Sequence, residues 1–594
     1  MQNNIQQLRE EFKGKVARLN DYLWGAGLKD PVTRIQQISF LFFLKMLEEQ
    51  DIAMEKEEKM TGREHKSIFE GKTEKFRWSR WREKTGDNLY KFVRDEVFPF
   101  IDELHNGHTN IRQIFHGAKL LIPDEVTLKR TVEIIDTIEF SNLDTDIKGD
   151  LYESLLASIE SAGELGQFLT PRHIVRAIVE MVNPKIGETI FDPACGSAGF
   201  LITVYEWLKY KNSDKKNVED RDGREIGYGD KLNKEQWEFL TTKTFHGYDV
   251  DPEMVRLALM NLILHGIEGA HVRRKDTVAG AEDEEDLRRF DVVLTNPPFA
   301  GKVDKERIKP TLPVKSNKTQ VLFLGYVINS LKPGGRAGII LPEGSLFGTN
   351  KDDKDIRRFL LENTKLEAVV SMPAGVFQPY AGVKTSFLIF KKKSAPKLDE
   401  KEKIWFFDMK GDGSSLSAAK KFGPQYKNDI PKLLELWGKD QSVAKPYSWF
   451  TTVKEIAEND YILSANTYSP YNGEEEISHR SQEEILREIE SIKNNLEIKI
   501  GQISELDKET CIQLFQKYLE VEKKIRSGVQ IIKPGQPYKI TVSSRDFDLS
   551  SELRSKLKGH LELLPTADLF EIYTDQSLGA EAREIIRKRN KYDN

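Results

Sequence analysis

Asn296-Pro-Pro-Phe299 joins residue types suited to one chemical problem, making an exocyclic amino group on a planar base act as a nucleophile. The lone pair of such an amine is conjugated into the ring, so it attacks poorly. The Asn296 side-chain oxygen and the Pro297 carbonyl can accept its two hydrogens, drawing the nitrogen toward tetrahedral geometry. Adjacent prolines fix two φ angles and remove two backbone donors, so carbonyls project rigidly from the turn. Phe299 can stack on the base and hold it in line, as in enzymes that extrude their target from the duplex. Asn296, Pro297, Pro298 and Phe299 are therefore the candidate catalytic residues. Alone, the tetrapeptide fits a Pro-Pro turn with a core phenylalanine equally well, so its surroundings must decide.

A second set of residues suits a cofactor. Glu188-Thr-Ile-Phe-Asp192 reads as a strand, and Pro193-Ala-Cys-Gly-Ser-Ala-Gly199 as a tight turn into a helix over 200–208. The glycines let a ligand approach the backbone, and the helix start can receive a carboxylate or phosphate. The spacing is not Gly-x-Gly-x-x-Gly, which disfavours a pyrophosphate dinucleotide, and no phosphate-loop Gly-Lys-Ser/Thr follows. Asp249, ending Gly247-Tyr-Asp249, is placed to accept two ribose hydroxyl hydrogens. Asp276, in Lys275-Asp-Thr277, is placed for an adenine amino group. Asp249 alone fits a helix cap, Asp276 alone a loop, and Cys195 a small buried residue. In chain order with Asn296, the set suits a nucleoside cofactor without phosphates, and S-adenosylmethionine fits that description. Asp192, Pro193, Gly196, Ser197, Gly199, Asp249, Asp276 and Thr277 are the expected cofactor contacts.

The elements that must position these residues are those of a doubly wound α/β domain, strand, glycine-rich turn and helix repeated in order. After the strand at 188–192 come strand-like runs at 245–250 and 290–294, a helix over 319–331, and a turn at Pro333-Gly-Gly335. Strands at 337–342, 366–371 and 385–390 follow, and 403–408 is a candidate edge strand. Residues up to about 145 read as helical. Asp30-Pro31 is an N-cap with a first-turn proline ahead of Ile35, Ile38, Leu41, Phe42 and Met46 at helical spacing. Within 75–84, Trp78 and Trp81 alternate with arginines, a pattern favouring tryptophans packed beneath arginine stems over a nucleic-acid contact. Beyond 475, Ile485, Ile489, Ile492, Leu496, Ile500 and Ile503 recur three or four apart, a heptad-like seam that needs a partner helix. The expected divisions are a helical domain (1–145), a catalytic domain (146–410), a connecting region (411–475) and a helical partner-binding region with a tail (476–594).

The 594 residues suffice for two or three domains, 39% hydrophobic beneath a surface fed by 31% charged residues. A net charge of −5 excludes a globally basic nucleic-acid binder. The cysteines, Cys195 and Cys511, exclude a disulfide framework and a multi-cysteine metal site, and suit a reducing cytosol. The acidic run 281–286 reads as a solvated face, and no metal is expected. No stretch is apolar and long enough to span a bilayer, so a soluble, cytoplasmic protein is expected.

Residues 145–390 resemble amino-group DNA methyltransferases whose cofactor motif precedes the catalytic one. Most of the chain is similar to the modification subunit of type I restriction–modification systems. The matching stretches are Leu23-Trp-Gly-Ala-Gly-Leu28, Lys148-Gly-Asp-Leu-Tyr-Glu153, Gly166-Gln-Phe-Leu-Thr-Pro171, the 192–200 loop, Asn296-Pro-Pro-Phe299, and 372–384. The resemblance implies a Rossmann-like methyltransferase with a helical N-terminal domain and a helical C-terminal extension. It implies transfer from S-adenosylmethionine to adenine N6 in double-stranded DNA, within a complex containing a specificity subunit and a restriction (motor-nuclease) subunit. It adds Gln167, Phe168, Leu169 and Thr170, which would close over the methionine end of the cofactor. The alternatives are a stand-alone adenine methyltransferase with its own recognition region, a protein-glutamine methyltransferase, and a non-catalytic cofactor-binding scaffold.

Overall fold

The computed structural model describes residues 2–61, 67–103, 109–138, 152, 170–221, 224–280, 287–299, 301–378, 382–417, 421–439, 441, 443–471, 530–533 and 536–539. The chain divides into two compact units, Met1–Pro470 and Tyr471–Asn594. In the second, Gln530–Lys533 pairs antiparallel with Gln536–Lys539. The isoleucine seam, the acidic run 281–286, Gln167, Phe168 and Leu169 lie outside the described residues, as does the expected 150–159 helix apart from Tyr152.

The first unit begins with helices Gln2–Gly25 and Pro31–Thr61. Asp30 caps the second as expected, its Oδ2 accepting the Thr33 N–H at 2.7 Å. That helix buries Ile35, Ile38 and the run Phe40–Leu44. The Phe40, Phe98 and Phe115 rings cluster 5.0–5.7 Å apart at its side. Lys45 is also buried, but its ammonium donates to the Ile135 and Asp136 carbonyls at 3.2 and 2.9 Å. Those carbonyls end helix Glu125–Asp136, where the helix dipole favours a cation.

Trp78 and Trp81 are packed inside this helical layer, 3% and 0% exposed. The Trp78 indole donates to Asp136 at 2.9 Å, and Arg82 pairs with the same carboxylate at 2.7 Å. Arg77 pairs with Asp51 and Glu55. Aromatics and cations here are engaged within the protein, which is the packing reading of 75–84.

A nine-stranded sheet forms the centre of the unit. Its strands are β1 (Ile190–Asp192), β2 (Phe245–Asp249), β3 (His271–Arg274), β4 (Phe290–Thr295), β5 (Leu331–Pro342), β6 (Thr364–Ser371), β7 (Thr385–Lys392), β8 (Lys403–Asp408) and β9 (Ser448–Thr452). The order is β3-β2-β1-β4-β5-β7-β6-β8-β9. The first five in that order run parallel, while β7 lies antiparallel between β5 and β6. The order reverses at β1, which neighbours both β2 and β4. Ligands in such sheets bind in the crevice beyond the strands' carboxyl ends at this reversal. Asp192, Asp249 and Asn296 all stand at those ends.

Two local expectations are corrected. Lys403–Asp408 is not the edge, because β8 pairs with β6 on one side and β9 on the other. Pro333-Gly-Gly335 does not separate a helix from a strand but sits inside β5 as a bulge. Leu331 pairs with Phe290 and Arg336 with Val292, leaving the intervening residues to loop out, with Gly334 at φ +82°.

The helical layer covers the other edge of the sheet. Gln113 Nε2 donates to the Val272 carbonyl of β3 at 3.1 Å, and Asn110 Nδ2 donates to Glu268 and Ala270 carbonyls at 2.6 and 3.0 Å. These amides fill acceptors that an exposed edge would offer to another chain. Among the described residues no helix is long and apolar enough to cross a membrane.

Candidate active site

The loop after β1 is shaped by its backbone. Asp192 is 1% exposed and accepts the Ala194 N–H at 3.0 Å. Burial raises its carboxyl pKa to about 7, against the opposing pull of Thr295 and the Ala194 N–H. The Cys195 N–H donates to the Tyr248 carbonyl of β2 at 2.9 Å. A Cβ on Gly247 would come within 3.1 Å of the Cys195 sulfur, so glycine lets the loop lie against β2. Burial, with Asp192 and Asp249 nearby, pushes the Cys195 thiol well above its ordinary value, consistent with a packing residue and not a nucleophile. Gly196 and Ala198 adopt φ of +51° and +69°, turning the chain into helix Gly199–Lys211. Space above Gly196 is open, with nothing within 4 Å of an added Cβ.

Asp249 ties this loop to the next one. Its Oδ2 accepts the Gly196 N–H at 3.0 Å and its Oδ1 the Asp251 N–H at 2.9 Å. Burial raises its pKa, while those N–H groups stabilise the charged form. A carboxylate offers about four acceptor positions, so pairs remain for two further donors. The helix cap is Asp251, whose Oδ1 accepts the Glu253 N–H at 2.9 Å at the start of helix Pro252–Leu264.

Asp276 is more committed to its own loop, and Thr277 to the loop after β1. Asp276 Oδ1 accepts the Val278 and Ala279 N–H groups at 3.3 and 3.1 Å, and Oδ2 lies 3.6 Å from Arg307. Thr277 is 3% exposed and donates to the Pro193 carbonyl at 2.6 Å. Its side chain buttresses the β1 loop from beneath.

At the end of β4, Asn296 Nδ2 donates to Thr170 Oγ1 at 2.9 Å. Asn296 Oδ1 is buried and has no hydrogen-bond partner among the described residues. An unfilled buried acceptor is unfavourable by about 1–3 kcal/mol, so this atom is poised for an incoming donor. Pro297 is buried and Pro298 exposed. Phe299 is 7% exposed, and its ring meets that of Phe377 edge to face at 5.1 Å and 87°.

Three supporting residues escaped the sequence reading. Asn261, 0% exposed, donates to the Ser197 carbonyl at 2.9 Å; its signal was a lone amide among Ala258, Leu259, Met260, Leu262, Ile263 and Leu264. Arg172 donates to the Gly199 carbonyl at 2.5 Å and to Thr203 Oγ1 at 3.0 Å. Val250 is 59% exposed between Asp249 and Asp251, an apolar surface beside the crevice that its position alone did not reveal. A separate cavity of about 740 Å³ is lined by none of these site residues. It is lined by His173, Asp412 and Phe422, with His173 Nε2 2.9 Å from Asp412 Oδ2.

Comparison with known proteins places the chain. Residues 143–477 match the N-6 DNA Methylase family, and residues 12–137 match the HsdM N-terminal domain. The Escherichia coli protein named type I restriction enzyme EcoEI methylase subunit is 29% identical over 502 residues, covering 80% of this chain and 94% of that protein. A solved chain from work on complex assembly and conformational transition of the type I R-M system is 28% identical. It covers 84% of this chain and 99% of its own length, with a TM-score of 0.59. The modification subunit of a putative type I restriction enzyme from Vibrio vulnificus YJ016 shares the fold, with TM-score 0.61, 24% identity, and coverage of 77% and 93%.

Proposed function

The chain belongs to the N-6 DNA methylase family, and from that premise we propose that it is the modification subunit of a type I restriction–modification system. Its reaction is transfer of a methyl group from S-adenosylmethionine to adenine N6 in duplex DNA. One observation carries the reading: the Asn296 carboxamide is held by its NH2 group while its buried oxygen awaits a donor. An adenine amino group supplies that donor. Asn296 Oδ1 and the Pro297 carbonyl take the two N6 hydrogens, loosening the lone pair from the ring. The test is labelled methyl transfer into duplex DNA with identification of the product nucleoside, N6-methyladenine being expected.

S-adenosylmethionine supplies an electrophilic methyl carbon when bound. The residues that would hold it fit, since the Asp249 carboxylate has acceptor capacity left and the backbone at Gly196 is open. We assign the ribose to Asp249 and the remaining contacts to Asp192, Pro193, Gly196, Ser197, Gly199, Asp276 and Thr277, with Gln167, Phe168, Leu169 and Thr170 at the methionine end. Asp249→Ala is expected to weaken cofactor binding about 10–100-fold in calorimetry, through loss of charge-assisted bonds. Asp276→Ala is expected to weaken it less than about tenfold, because one bond to a neutral amine is at stake. Unchanged affinity in Asp249→Ala would move the ribose contact elsewhere.

A net charge of −5 gives the chain no overall attraction for DNA phosphates. We therefore assign base readout to a specificity subunit and cleavage to a motor-nuclease subunit, in the cytoplasm. The region 476–594 is proposed as the part that docks on the specificity subunit.

A further inference from the structure

We propose that Thr170 is a positioning residue that holds the Asn296 carboxamide by its NH2 end and so leaves the oxygen for the target amine. The inference rests on the methyl-transfer reading and adds a residue outside the Asn-Pro-Pro-Phe turn.

A carboxamide has two nearly isosteric orientations, related by a half-turn of its terminal torsion. Only one can serve an amine. With oxygen inward, Asn296 accepts an N6 hydrogen; with nitrogen inward, donor faces donor and the amine is repelled. The observed orientation is the first: the Thr170 hydroxyl, able to donate or accept, here accepts from Nδ2 at 2.9 Å and so holds that end of the amide, leaving Oδ1 unfilled. The arrangement leaves a single buried acceptor, Oδ1, to be filled by substrate. The reverse orientation would bury two N–H donors facing an amine that offers only donors.

Thr170 is itself held in place by rigid elements. Pro171 follows it, and the Pro171 carbonyl accepts the Ile174 and Val175 N–H groups at 2.9 and 3.1 Å, starting helix Arg172–Val182. Arg172, first in that helix, bonds Gly199 and Thr203 on the cofactor-loop helix. A continuous chain of contacts thus runs from the cofactor loop through Arg172 and Thr170 to Asn296. Precision at the reacting group comes from such backing.

The test uses this chain assembled with its specificity subunit, comparing wild type, Thr170→Val and Thr170→Ser. Valine matches threonine in shape but cannot hydrogen-bond, whereas serine retains the hydroxyl. Thr170→Val is expected to lower kcat about 10–100-fold, by more than any accompanying loss of S-adenosylmethionine affinity, while KM for DNA stays within about threefold. Thr170→Ser is expected to stay close to wild type. Wild-type kcat in Thr170→Val, or a serine variant as impaired as valine, would overturn the proposal. So would a loss confined to cofactor affinity, which would make Thr170 a cofactor contact alone. A wild-type complex that leaves adenine unmethylated would instead overturn the underlying reading, because the Thr170 proposal is judged on variant relative to wild type.

Discussion

Asn296→Ala lowers methyl transfer about a thousandfold or more, while the dissociation constant for S-adenosylmethionine stays within about threefold. The asymmetry follows from where the side chain's two ends lie. Its NH2 group meets Thr170, and its oxygen has no hydrogen-bond partner among the described residues. The residues assigned to the cofactor's ribose and backbone contacts, Asp249 and the 193–199 loop, lie on neighbouring strands and keep their own hydrogen bonds without Asn296. Removing the carboxamide relieves an unfilled buried acceptor and loses the bond to Thr170, two opposing effects, so the variant is expected to remain folded. The measurement pairs single-turnover methylation with calorimetric titration of the cofactor. A parallel loss of cofactor binding would make Asn296 a structural residue and end its assignment as the amine's acceptor.

Deleting residues 476–594 is expected to abolish co-purification with the specificity subunit and site-specific methylation, with cofactor binding retained. The retained part contains all nine strands, the crevice and the helical layer, and Met1–Pro470 is one compact unit. The deleted part carries the isoleucines from Ile485 to Ile503, whose spacing calls for a partner helix. Co-purification with a tagged specificity subunit, followed by a methylation assay on a defined site, reads both outcomes. A truncated chain that still assembles and methylates would place docking on another surface.

The local chemistry was legible in the sequence because it follows from short-range rules. A strand, a glycine-rich turn and a helix announce the loop after β1, Asp249 ends a strand-like run, and Asn296 follows an apolar one. Long-range pairing was not legible. Nothing in Thr385–Lys392 says that it inserts antiparallel between β5 and β6, and nothing in Lys403–Asp408 says that another strand will cover it. Pro333-Gly-Gly335 satisfied the rules for a turn and for a bulge alike, and only the pairing of β4 with β5 separates them. Asp276 and Thr277 are assigned as ligand contacts from their place after a strand, but their neighbours in the fold are not legible there. Their bonds to Val278, Ala279 and Pro193 depend on how the loop closes. The Thr170–Asn296 contact joins residues 126 positions apart and could not be read from either motif alone.

The most direct measurement is the identity of the methylated nucleoside. Duplex DNA is incubated with the chain, its specificity subunit and S-adenosylmethionine bearing a labelled methyl group, then digested to nucleosides and separated by mass spectrometry. The expected result is label in N6-methyladenine at one sequence, with the chain alone giving no site-specific product. Label in N4-methylcytosine, label in protein and none in DNA, or site-specific methylation by the chain alone would contradict the account.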